Sequence, residues 1–238
     1  MRARYARRRF RLRYAAAALV TGLGLTVLAY PVVDNAVYDA HVRTLKQEFL
    51  AQAGHTGAHD PYADLYALLR AENARLAATG QAGLVDAFSY QTTAVDLAAY
   101  GIADNRIGFV TVPAAGIDLP IYLGANLGNL SLGAVHLTQT SYPIGGPDTN
   151  AVIAAHRGGT LTMFRQLHTL ALGDAVIITN FREQLWYEVV ETRVIDPTDI
   201  GQIMIQPGRE LVTLISCHPL GHNSQRLVVL AERVPGPG

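Results

Sequence analysis

Residues 211–232 read LVTLISCHPLGHNSQRLVVLAE. The run Leu211-Val212-Thr213-Leu214-Ile215-Ser216 is apolar and rich in β-branched residues, which predicts a buried strand ending at Cys217. His218-Pro219-Leu220-Gly221 breaks it, and after eight intervening residues Arg226 opens a second run of the same texture. If the two runs pair as a hairpin, Cys217 and Arg226 face each other at the rim of a sheet. Similar short runs at Ile107–Val112, Ile117–Tyr122, Ala151–Ala155, Ala175–Thr179 and Leu185–Val194, with Arg226–Glu232, are separated by Gly, Pro and Asn. Met163 to Leu167 reads as a short helix. Seven or eight such strands predict a mainly β fold, a closed barrel or a sandwich.

The rest of the chain is organised differently. Half of its 238 residues are hydrophobic and 16% are charged, enough apolar material for a sizeable core. The formal charge is zero, yet seven of the nineteen basic residues fall in the first thirteen positions. The remaining 225 residues carry 12 basic and 19 acidic side chains, a net −7 that argues against a nucleic-acid partner. After the basic run comes a charge-free stretch, Tyr14 to Val33, about as long as the roughly 20 helical residues that span a bilayer. Pro31 is expected to end its regular helix. Arginines stay cytoplasmic, so the remainder would lie outside, with the amino terminus in the cytoplasm. A cleaved signal peptide is the competing reading, with Val27 and Ala29 as the small-residue pair.

Asp34 to Gln52 reads as a helical stalk with Val37, His41, Leu45 and Phe49 on one face, followed by a loop over residues 53–59. Asp60-Pro61 then opens a helix, the aspartate as cap and the proline in the first turn. Its apolar stripe is Leu65, Leu68, Leu69 and Leu76, and Gly80 ends it. The expected organisation is a basic segment (1–13), a transmembrane anchor (14–33), a helical stalk (34–105) and a catalytic β-barrel domain (106–234).

Cys217 is the sole cysteine, which excludes an internal disulfide and any multi-cysteine metal centre. Taken singly, it reads as a small buried hydrophobe rather than a nucleophile. His156, ending the strand Ala151–Ala155, reads as a turn residue, and Arg226 as a surface strand residue. Together they offer a nucleophile, a base and an anion stabiliser, all at strand ends. His218 and His222 have metal-like spacing, but Pro219 and Gly221 deny them a shared helical face. His136 and His168 have no obvious partner. No metal or cofactor is expected.

Thr213-Leu214-Ile215-Ser216-Cys217, with Arg226 nine positions on, resembles the signature of the sortases, bacterial cysteine transpeptidases. Asn150 to Gly158 looks like their histidine segment, and the resemblance runs from about Asp60 to Arg233, including 119–122 and 140–146. It implies a sortase-type closed barrel, with His156, Cys217 and Arg226 catalytic. It also implies a donor bearing a Leu-Pro-x-Thr-Gly-type sorting signal, cleaved through a Cys217 thioester and passed to an amine. Asp60-Pro61-Tyr62 is similar to the lid motif of the class C, pilin-polymerising members, where the aspartate pairs with the catalytic arginine and the aromatic ring covers the cysteine. Asn73, Gly80-Gln81 and Ser89-Tyr90 fit that context. On that reading the acceptor is a pilin lysine, and replacing Asp60 and Tyr62 by alanine speeds labelling of Cys217. Ser216 departs from the usual threonine. No apolar span follows Val234 where class C members usually carry a second membrane segment, so the chain is a piece of a longer one or relies on its amino-terminal anchor. Rival readings are a housekeeping sortase using a peptidoglycan precursor, a cysteine hydrolase and a non-catalytic surface module.

Overall fold

Strands β7 (Glu210–His218) and β8 (Gln225–Val234) pair antiparallel with Cys217 opposite Arg226, the hairpin that the sequence predicts. The protein is seen here as a computed structural model describing residues 2–53, 60–81, 84, 93 and 95–237, with side chains from residue 14 onward. Residues 54–59, with His55 and His59, and Ser89-Tyr90 lie outside the described residues. The chain divides into two units, Met1–His41 and Val42–Gly238.

The first unit is part of helix α1, which runs over Arg2–Ala53. Pro31 does not end it, contrary to expectation. Proline removes one backbone donor, which a long helix tolerates as a local defect. Asn35 Nδ2 donates to the Pro31 carbonyl at 2.7 Å, one turn further on. Leu19, Val20, Leu23, Leu28 and Val32 are all exposed, and this is the one described helix long and apolar enough to cross a membrane.

The second unit is a barrel. Besides β7 and β8 it contains β1 (Arg106–Val112), β2 (Ile117–Leu123), β3 (Ala134–His136), β4 (Thr149–Ala154), β5 (Ala175–Thr179) and β6 (Gln184–Ile195). The strand order β1-β2-β3-β4-β7-β8-β6-β5 closes through β5 onto β1. Two pairs are parallel, β2 with β3 and β4 with β7; the rest are antiparallel. Closure depends on a glycine. A Cβ at Gly108 would stand 2.4 Å from the Thr179 carbonyl oxygen, so only glycine admits β5 so close. Val152 and Ala154 of β4, Ile215 of β7 and Val228 of β8 form one buried cluster, and Leu84, Leu130 and Ile203 pack with them. Each buried valine, leucine or isoleucine contributes about 1.5–3 kcal/mol over its exposed state.

Helix α2 (Ala63–Thr79) buries Leu65, Tyr66, Leu69, Asn73 and Leu76, while Leu68 of the expected stripe is exposed. Gly80 ends it in the left-handed region, φ 67°, as expected. Two buried amides then stitch it to the barrel. Asn73 exchanges hydrogen bonds with the backbone of Tyr142 (2.7 and 3.2 Å). Gln81 donates to the Gln139 carbonyl at 3.0 Å and accepts from the Ile205 N–H at 2.7 Å. Where α1 meets the barrel, the buried residues are Val42 and Phe49 rather than the predicted Val37–His41–Leu45–Phe49 face. Phe49 meets Phe109 edge to face, and Lys46 pairs with Asp118 at 2.6 Å. The short helix expected at Met163–Leu167 is a series of turns leading into a 3-10 turn at Leu167–Thr169.

Candidate active site

β4 and β7 are parallel neighbours, with Ala154 paired to Ile215. The Ala155 N–H donates to the Ile215 carbonyl at 3.3 Å and extends the ladder by one residue. The same offset sets His156 level with Cys217. His156 is exposed and Cys217 half-buried, so both face the barrel mouth rather than the core. The His156 carbonyl accepts from the Phe164 N–H at 3.0 Å, and Phe164 is fully buried, which anchors the loop that carries the imidazole.

Arg226 comes to the same rim from β8 and is only 5% exposed. Its Nη1 donates to the carbonyls of Asn223 (2.8 Å) and Gln225 (3.1 Å) and so shapes the β7–β8 turn from within. Ser216 points inward, and its buried Oγ has no hydrogen-bond partner, so the threonine-to-serine departure removes no bond.

One residue at this rim was not singled out by the sequence. Arg157, 5% exposed, donates from Nη1 to His218 Nδ1 at 2.9 Å and to the Cys217 carbonyl at 3.5 Å. Burial pushes its guanidinium down from the ordinary value, though an arginine stays charged. Its position directly after His156 was the available signal. His218 is thus held by an arginine, and among the described residues no cluster of three or more metal-ligating side chains occurs.

The Asp60-Pro61-Tyr62 motif is not brought to this rim. Asp60 pairs with Arg182, and its Oδ1 accepts from the Tyr62 N–H at 2.9 Å. That backbone bond and the Arg182 guanidinium hold its carboxyl below the usual range. Tyr62 stacks on Phe181 (5.1 Å between centroids) and, with Phe49 and Arg106, lines a cavity of about 260 Å³. Arg182 precedes β6, whereas Arg226 pairs with Ile195 at the far end of that strand. The two ends are roughly 35 Å apart along the strand at about 3.3 Å per residue. In this structure Asp60 thus pairs with Arg182 rather than Arg226, and Tyr62 stacks on Phe181. The motif fastens the start of α2 to the β5–β6 turn, and α2 itself begins only at Ala63, with Pro61 outside it. Asp60→Ala and Tyr62→Ala are expected to leave the rate of Cys217 labelling by a small thiol reagent within about twofold, as for distant sites. A clear acceleration would restore the lid reading.

Residues 110–234 match the Sortase domain family, more than half of the chain, and the chain belongs to the sortase family. Sortase C1 of Streptococcus agalactiae is similar in structure, at 32% identity and a TM-score of 0.72, covering 80% of this chain and 98% of that one. Sortase C-1 of Actinomyces oris is 34% identical with a TM-score of 0.60, covering 71% and 99%. In sequence, Sortase D of Bacillus subtilis is 29% identical over 132 residues, 53% of this chain and 63% of that protein. Sortase A of Listeria monocytogenes is 26% identical over 129 residues, 54% and 57%. The chain thus matches less than two thirds of the length of these curated relatives.

Proposed function

We propose that this chain is a membrane-anchored cysteine transpeptidase of the class C kind, its chemistry carried by Cys217, His156 and Arg226. The strongest support is the pairing of Cys217 with Arg226 on β7 and β8, beside the parallel strand that leads to His156. In this scheme the Cys217 thiolate adds to the threonine carbonyl of a Leu-Pro-x-Thr-Gly-type sorting signal. The oxyanion forms near the Arg226 guanidinium. The C–N bond breaks as the His156 imidazolium protonates the departing glycine amine, leaving a thioester and a neutral imidazole. An acceptor amine then attacks, gives its proton to His156, and the amide forms as the thiolate leaves. The scheme uses no cofactor.

The structural neighbours include a pilus-related sortase C of Group B Streptococcus, which supports a pilin lysine as the acceptor. The amino-terminal helix supports anchoring in the cell membrane, with the Arg-rich end in the cytoplasm and the barrel outside. The test is incubation of the full chain, in detergent, with a signal peptide and a lysine-bearing peptide, followed by weighing of the products. The expected product is the joined peptide. Release of free acid alone would indicate a hydrolase, joining only to a peptidoglycan-precursor amine would indicate the anchoring enzyme, and an untouched signal peptide would overturn the proposal.

A further inference from the structure

We infer that Arg157 and His218 form a clamp across the mouth of the barrel, and that His218 is a positioning residue which works only when neutral. The inference deepens the transpeptidase reading and rests on it for its effect on transfer. The backbone ladder between β4 and β7 extends to the bond from the Ala155 N–H to the Ile215 carbonyl. Past that point the two chains turn away, one into Arg157-Gly158-Gly159, the other into His218-Pro219. His156 and Cys217 are the residues just at the divergence, so their separation depends on what joins the two turns. Arg157 joins them, bonding His218 and the carbonyl of Cys217 from the residue next to His156. The turns also touch: a Cβ built at Gly158 would lie 3.8 Å from Gly221 Cα.

The clamp has a definite protonation state. Arg157 is buried and its Nε has no hydrogen-bond partner, so its Nη1 contacts aim the guanidinium. A guanidinium only donates; His218 Nδ1 must therefore hold a lone pair, with the ring proton on Nε2. A proton on Nδ1 would remove the acceptor and set two cations 2.9 Å apart. Among the described residues, the groups facing this pair do not offset that charge. From the β4 exit come His156 and Arg157 itself, from the β7–β8 turn His222, from β8 the neutral Gln225 opposite His218 and then Arg226, and from β7 Cys217. Among the described residues of these paired strands, the acid next in register is Asp196, which follows Ile195 opposite Arg226, two strands from His218. A doubly protonated His218 therefore cannot hold the clamp.

The test compares His218→Leu, which has no acceptor, with His218→Asn, whose side-chain oxygen can accept from Arg157 and does not titrate. His218→Leu is expected to lower kcat for transfer roughly tenfold or more with KM within about twofold, the signature of misplaced reacting groups. His218→Asn is expected to recover most of that loss. On the acid side the logarithm of the wild-type rate should fall by about two units per pH unit, and that of His218→Asn by about one. The same profiles are read on alkylation of Cys217 by iodoacetamide, which needs no substrate. If transfer never occurs but alkylation keeps the difference in slope, the transpeptidase reading falls and the clamp stands. Equal acid limbs in both assays, or no recovery by asparagine, would overturn the clamp. Should His218→Leu not fold, the slopes of wild type and His218→Asn carry the test alone.

Discussion

Cys217→Ala is expected to lower joining of a signal peptide to an amine by more than about 10⁴-fold, the scale on which loss of a nucleophile acts. No other described residue can replace it, because Cys217 is the only cysteine and no thioester can form without it. Arg226→Lys is expected to cost roughly 10²–10³-fold in kcat, the range for losing an oxyanion donor. Lysine keeps the charge but loses the fork, and the fork is committed: Nη1 already holds the carbonyls of Asn223 and Gln225. A lysine ammonium drawn to those carbonyls leaves nothing for a developing oxyanion. Product masses and initial rates read both effects, with thermal melting of each variant as the check on folding. Joining that survives in Cys217→Ala would remove the thioester from the mechanism, and an unaffected Arg226→Lys would move oxyanion stabilisation elsewhere.

The strands were legible because a closed barrel asks the same thing of each: an apolar, β-branched run between turn residues. Observed bounds match the expected ones at both ends for β5 and differ elsewhere by at most two residues at an end, as for β7, read as Leu211–Ser216 and found as Glu210–His218. Two features were not legible. β3 has three residues, too few to show any alternation, and exists because β2 and β4 lie on either side of it. β6 carries an irregularity between Val189 and Glu191 that shifts its register against β8, and nothing local announces it. The site divides in the same way. Strand ends placed Cys217 opposite Arg226 and His156 on the adjacent strand, because register follows from pairing. Which arginine meets Asp60 is a tertiary fact, and a motif that begins a helix looks the same whichever arginine it meets. Arg157 lay hidden because a charged residue after a catalytic candidate reads as solvent-facing until burial is known.

Acid is expected to destabilise the barrel through a histidine outside the catalytic set. His136, without a partner by sequence, is fully buried on β3, stacked on Tyr142 at 4.9 Å, with Nε2 bonded to the Ser141 carbonyl at 2.9 Å. Nε2 therefore carries the proton, and buried Nδ1 has no hydrogen-bond partner to share a second one. Burial pushes its pKa from 6.5 down to about 4, opposed only in part by the bonds to Ser141 and Thr140. The unfolded chain binds a proton near pH 6.5, the folded chain only near pH 4, so the unfolded state holds more protons throughout that window. Stability is accordingly complete above about pH 6.5 and falls as pH drops towards 4, by up to about 1.4 kcal/mol per unit and about 3 kcal/mol in all. His136→Gln keeps a donor for Ser141 without titrating, and should flatten this part of the curve even if it lowers stability at pH 7. Urea unfolding of the full chain in detergent at pH 7, 5.5 and 4 measures the difference. Parallel curves for the two proteins would mean that His136 takes up its proton in the folded barrel as readily as in the unfolded chain, and that the acid sensitivity lies with other groups.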